Sequence, residues 1–190
     1  MFTTKTFTTL LFAAGVISAA PTSTSTSHPS RTVSLTGVTH SVVAGLAGLR
    51  FDPENVVASA GDIIEWHFLP KNHSIAQSSF AEPCQPLANS PSTSFFSGFN
   101  FATSEGQAPD VFQIVVEDAS KPIWYYCAQQ TGAHCQNGMV GVINQNFESA
   151  EATLAKHKEL AAKTGTSVIP PAVQGGEVIE NPNPLGGFKL

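Results

Sequence analysis

At 190 residues, with 42% hydrophobic and 12% charged side chains, the chain can furnish one ordinary domain with flanking segments, and not two large ones. Its formal net charge of −5 and pI near 5.6 leave no basic footprint for phosphates, which argues against a nucleic-acid partner.

Residues 1–20 read as a secretion signal. Lys5 lies in a short leading region, Leu10 to Ile17 is apolar, and Ser18, Ala19 and Ala20 are small residues suited to signal peptidase. That apolar run is too short to cross a bilayer, no later run approaches the roughly 20 residues a spanning helix needs, and the ending GGFKL lacks the apolar tail of a lipid-anchor signal. A soluble protein is expected, secreted to the extracellular space or the cell wall. Residues 21–37 begin PTSTSTSHPSR, a Ser/Thr-rich composition that predicts disorder.

From 38 to 146 the pattern has a period of two. In GDIIEWHFL, Ile64, Trp66 and Phe68 share one face while Glu65 and His67 share the other, so His67 is expected to face solvent. Further strands are predicted at SVVAG (41–45), NVVAS (55–59), HSIAQS (73–78), DVFQIVVE (110–117), PIWYYC (122–127) and GMVGVIN (138–144). Short β-branched or aromatic runs separated by Pro, Gly and Asn predict an antiparallel sandwich or barrel. Phe95, Phe96, Phe99 and Phe101 are expected to join the core rather than form a contact patch. Residues 147–163 predict a short helix, with Glu148 and Glu151 at its start, Lys163 at its end and Gly165 as its stop. The Pro- and Gly-rich residues 164–190 predict a second disordered tail.

Three cysteines in a secreted chain leave one without a disulfide partner. That thiol is buried and inert, paired between chains, reactive, or held as a thiolate by metal. One thiolate, two imidazoles and a distant thioether form the trigonal site with weak axial sulfur that suits copper. Cys127 ends a strand, His134 follows after six intervening residues, and Met139 follows after four more. One hairpin loop can aim all three at a point. His73, opening HSIAQS after the turn PKN, can supply the other imidazole from a second loop at the same pole.

The stretch FDPENVVASAGDIIEWHF…NHSIAQSSFAEPC…PIWYYC…HCQNGMVGVIN resembles the secreted fungal cupredoxin-like proteins known as extracellular serine-rich proteins, relatives of the phytocyanins. The resemblance covers residues 38–146. It implies an all-β, Greek-key β-sandwich of the cupredoxin kind, holding one type 1 (blue) copper with His73, Cys127, His134 and Met139. It also implies a disulfide between Cys84 and Cys135. The six residues between Cys127 and His134 exceed the two to four usual in phytocyanins. Asn72-His73-Ser74 fits the N-glycosylation acceptor pattern, and a glycan beside a ligand would crowd the metal, so low occupancy is expected.

Two function classes follow. The first is a non-enzymatic copper protein serving one-electron transfer or copper holding, because protein ligands that fill the coordination sphere leave no place for substrate or activated water. No His-x-His pair serves a multicopper oxidase, and a histidine brace would need cleavage just before His28. The alternative is a wall-associated structural or interaction module on the same sandwich without physiological copper. A monomer with an unidentified redox partner is expected.

Overall fold

The computed structural model describes residues 33–87 and 94–184. The expected signal and most of the Ser/Thr-rich segment lie outside them. Among the described residues the strands are β1 (Thr39–Ala44), β2 (Phe51–Asp52), β3 (Asn55–Val56), β4 (Ile63–Phe68), β5 (Ala76–Ser78), β6 (Asp110–Val115), β7 (Ile123–Tyr126), β8 (Val140–Ile143) and β9 (Glu177–Glu180), with one helix, α1 (Leu154–Ala161), between β8 and β9. They form two sheets, ordered β2-β1-β4-β6-β9 and β3-β8-β7-β5. The sandwich is as expected, but its sheets are mixed rather than antiparallel: β1 runs parallel to β4 and β3 parallel to β8.

Alternation drives the packing. Ile64, Trp66 and Phe68 of β4 enter the same buried cluster as Val42, Phe112, Tyr125 and Ile143. The Trp66 ring lies 5.4 Å edge-on to Tyr125 and 5.8 Å from Phe95, and Phe68 stacks on Phe101 at 4.0 Å. Aromatics of this size each bury a large apolar area and anchor so small a core. Phe95, Phe96 and Phe101 are buried as core residues, and the half-buried Phe99 packs edge-on against Phe96.

His67 is a correction. It is 2% exposed, although it lies on the face opposite Trp66. Its Nε2 is 2.7 Å from Glu65 Oε1 and its Nδ1 2.8 Å from Gln107 Oε1, while Gln113 donates to the other Glu65 oxygen and Asn181 donates to Gln107. Period two tells which face a side chain takes, and loops then decide whether that face is wet.

The ends differ from the composition-based expectation as well. The helix is shorter than 147–163: Thr153 is its N-cap, accepting from Lys156 N. Neither Glu148 nor Glu151 lies in its first turn. Residues 164–184 are not a free tail, since β9 pairs with β6 from Asp110↔Glu180 to Gln113↔Glu177. At the other end Thr36 donates to Asp62 Oδ1 at 2.6 Å, so ordered packing begins before residue 38.

Candidate metal centre

Antiparallel pairing builds the site. β5 pairs with β7 through Ala76↔Tyr126, and β7 with β8 through Tyr126↔Val140. The start of β5, the end of β7 and the start of β8 therefore meet at one pole of the sandwich. His73 precedes β5, Cys127 follows β7, Met139 precedes β8, and His134 lies in the loop between the last two. Cys127 N donates to Met139 O at 3.0 Å and Met139 N to His134 O at 3.0 Å, which closes the hairpin mouth around the ligand loop.

The donor atoms of His73, Cys127 and His134 all lie within 4.8 Å of one another, and all three residues are buried. His134 Nδ1 stands 3.2 Å from His73 Nδ1 and 3.4 Å from Cys127 Sγ. His73 Nε2 is 3.0 Å from Pro70 O. A carbonyl only accepts, so Nε2 carries the proton and Nδ1 turns a lone pair toward the cluster. Ser74 N donates to the Cys127 sulfur at 3.4 Å, and Ser74 Oγ accepts from Ala128 N at 3.0 Å. Met139 is fully buried in the core cluster that contains Cys127.

Electrostatics favour neutral imidazoles. Burial, then the neighbouring His134 and Lys71, pull His73 down to about 4. Burial and Lys71 lower His134 as well. Burial pushes the Cys127 thiol up to about 11, against hydrogen bonds that favour the thiolate. Two buried neutral imidazoles beside a thiol whose thiolate form would need a compensating positive charge fit a soft or borderline cation of the copper or zinc kind. Two nitrogens and one sulfur of this type are the donor set of a trigonal copper site.

Gly45, just past β1, completes the mould and carried no signal in the sequence beyond following a strand. Its φ is +97°, and a Cβ there would fall 2.4 Å from His73 Nε2. The roles of Pro70, which acts through its carbonyl, and of Ser74, which follows His73 in the chain but bonds to Cys127 and Ala128, were equally invisible, because only the fold brings those partners to them. The Cys84–Cys135 disulfide is present and fastens the residue after His134 to the segment following β5. Cys127 is the one free cysteine among the described residues. Asn72, next to His73, is half-buried, and its carbonyl accepts from Gln129 Nε2 at 3.1 Å.

No family model matches the chain. It is 34% identical over 148 residues to "Extracellular serine-rich protein" of the fungus Arthroderma benhamiae, covering 76% of this chain and 54% of that protein. It is 34% identical over 135 residues to "Probable GPI-anchored cupredoxin-1" of the same fungus, covering 71% of this chain and 64% of that protein. The chain thus spans between about half and two thirds of these curated relatives. Among solved structures, pseudoazurin from Hyphomicrobium denitrificans matches 68% of this chain and all of its own at 22% identity and a TM-score of 0.39. A Sinorhizobium pseudoazurin gives 18% identity, 66% and 94% coverage, and a TM-score of 0.40. The secreted or cell-wall location expected from residues 1–20 agrees with the two fungal names, and none of the helices among the described residues is long and apolar enough to cross a membrane. The chain is similar, over most of its length, to fungal proteins named extracellular serine-rich protein and cupredoxin.

Proposed function

We propose that this chain binds one copper ion of the type 1 kind and serves outside the cell as a non-enzymatic one-electron carrier or copper-holding protein. The observation that carries the reading is the buried trio of His73 Nδ1, Cys127 Sγ and His134 Nδ1 at one pole of a rigid sandwich. His73, Cys127 and His134 would hold the ion, and Met139, buried in the same cluster as Cys127, would offer it a weakly binding thioether. When bound, copper would supply a one-electron couple. The chain's own part is positional: the Pro70 carbonyl fixes the His73 tautomer, the Ser74 N–H supports negative charge on the Cys127 sulfur, and full burial of His73, Cys127 and Met139 keeps bulk water away. Ligands held on strand ends by paired sheets move little between oxidation states, which favours electron transfer over bond-making chemistry. Association with the cell surface is proposed alongside, on the name of the GPI-anchored relative.

The test is copper(II) titration of the purified protein followed by visible absorption. One equivalent should bind with an intense band that reductant bleaches, and Cys127→Ser should abolish the band. Copper bound without the band, or a band that survives Cys127→Ser, refutes the reading. Stoichiometric isolation without copper and indifference to added copper would favour the wall-associated module.

A further inference from the structure

The ligand loop is long, and the chain beyond the helix grips it. Gln136, next to Cys135, shares its amide N–H groups among Thr164 Oγ1 at 3.1 Å, Gly165 O at 2.5 Å and Ser167 Oγ at 3.2 Å, and its own oxygen accepts from Ser167 Oγ at 3.3 Å. Gln130, inside the Cys127–His134 interval, donates to Ser167 O at 2.8 Å. The same short stretch reaches both neighbouring anchors: Val168 N donates to Cys84 O at 3.0 Å and Tyr126 OH donates to Val168 O at 2.7 Å. Ser167 is 1% exposed. Residues 164–168 follow α1 directly, tied to it by Thr164 Oγ1 donating to Ala161 O at 2.8 Å.

We propose that residues 164–168 are a buttress for the ligand loop, with Gln130 and Gln136 as positioning residues that fix His134 against Cys127. A loop with six residues between two ligands has more freedom to lose than a short one. The disulfide pins only Cys135, and the buttress braces the loop on either side of His134 by bonds from the Gln130 and Gln136 side chains to backbone and hydroxyl groups of residues 164–167. The competing explanation is that the segment merely roofs the apolar cluster around the disulfide, which includes Cys84, Tyr126, Cys135 and Ala161. The two differ in what local opening does to Cys127.

The test uses the full metal-free chain, so it stands whether or not the copper reading holds. The rate of Cys127 alkylation by iodoacetamide under native conditions reports loop opening, and urea unfolding reports global stability. Gln136→Ala and Ser167→Ala should each speed alkylation about tenfold, as loss of one or two net hydrogen bonds from the closed loop implies. Thr153→Ala, which loosens α1 at its N-cap without touching the loop, serves as the control. At equal loss of global stability it should leave alkylation far slower than the two loop variants. If alkylation in Gln136→Ala and Ser167→Ala rises only in step with global stability, as in the control, the buttress is overturned. Copper loading adds a second readout resting on the proposed function: a shifted reduction potential in Gln136→Ala supports positioning. Wild-type protein that gives no blue band would sink the copper reading and leave the alkylation result to decide the buttress.

Discussion

Replacing Gly45 with alanine tests how closely the backbone is moulded to His73. The new Cβ would lie 2.4 Å from Nε2, 2.9 Å from Cδ2 and 3.3 Å from Cε1 of the imidazole, where ordinary contact begins at 3.4 Å. Either the ring or the strand end must yield by about 1 Å at the closest atom. The ring cannot retreat without stretching its 3.0 Å bond to Pro70 O, and Gly45 N is itself bonded to Arg50 O at 3.0 Å. Overpacking of this kind costs roughly 1–3 kcal/mol, and a side chain at φ +97° adds about 1 kcal/mol. The metal-free variant should therefore lose roughly 2–4 kcal/mol by urea unfolding followed through Trp66 and Trp124, and it should bind copper more weakly because His73 is displaced. Gly48→Ala separates the two contributions, since Gly48 has φ +102° with nothing within 4 Å of its added Cβ. It should show the backbone cost alone. A Gly45→Ala protein no less stable than Gly48→Ala would refute the argument from contact.

If the proposed copper binding holds, Met139→Leu should keep the visible band while the reduction potential moves, since a thioether binds copper weakly; spectroelectrochemistry checks this, and complete loss of copper would contradict a weak-donor role. Replacing both Cys84 and Cys135 with alanine opens a crosslink of sequence separation 51, and chain entropy gives a loss of roughly 4 kcal/mol, read as a lowered urea midpoint. His157 is buried between Phe80 and Trp124 with Nδ1 bonded to Phe80 O, and burial lowers it to about 4. A depressed imidazole is neutral in the fold, so its stability is complete above the unfolded value near 6.5 and is lost as pH falls from there to about 4. That amounts to about 3 kcal/mol. His157→Phe should flatten the acid limb of the stability profile in the metal-free protein, leaving the part due to His73 and His134; an unchanged limb would refute the assignment.

Much of the candidate metal centre was legible because its chemistry is written in residue types. An odd thiol, two imidazoles and a thioether around one hairpin give a pattern independent of exact strand ends. β4 was readable from Ile64, Trp66 and Phe68 alone. β2 was not, because Phe51–Asp52 is two residues long and exists only through pairing with β1. β9 was hidden for a different reason: Gly175, Gly176, Pro182 and Pro184 surround EVIE, and local composition outweighed a strand stabilised by a partner some 70 residues away. His67 illustrates the same limit. Its face follows from alternation, yet its burial depends on Gln107 and Asn181 arriving from remote segments. Gly45 shows it once more, since a glycine against an imaginary Cβ clash has no sequence signature.

The pairing of β9 with β6 bears on how this chain tolerates shortening. A cut at residue 163, where composition suggests the domain is finished, would remove the partner of Asp110–Gln113 and leave the run DVFQIV as a bare sheet margin. Strands exposed in that way recruit strands from other molecules. The same cut would strip Asn181 from Gln107 and admit water to the Glu65–His67 pair. A shortened chain should therefore precipitate or self-associate rather than behave as a trimmed domain, and residues through at least 181 belong to the smallest unit that remains dispersed.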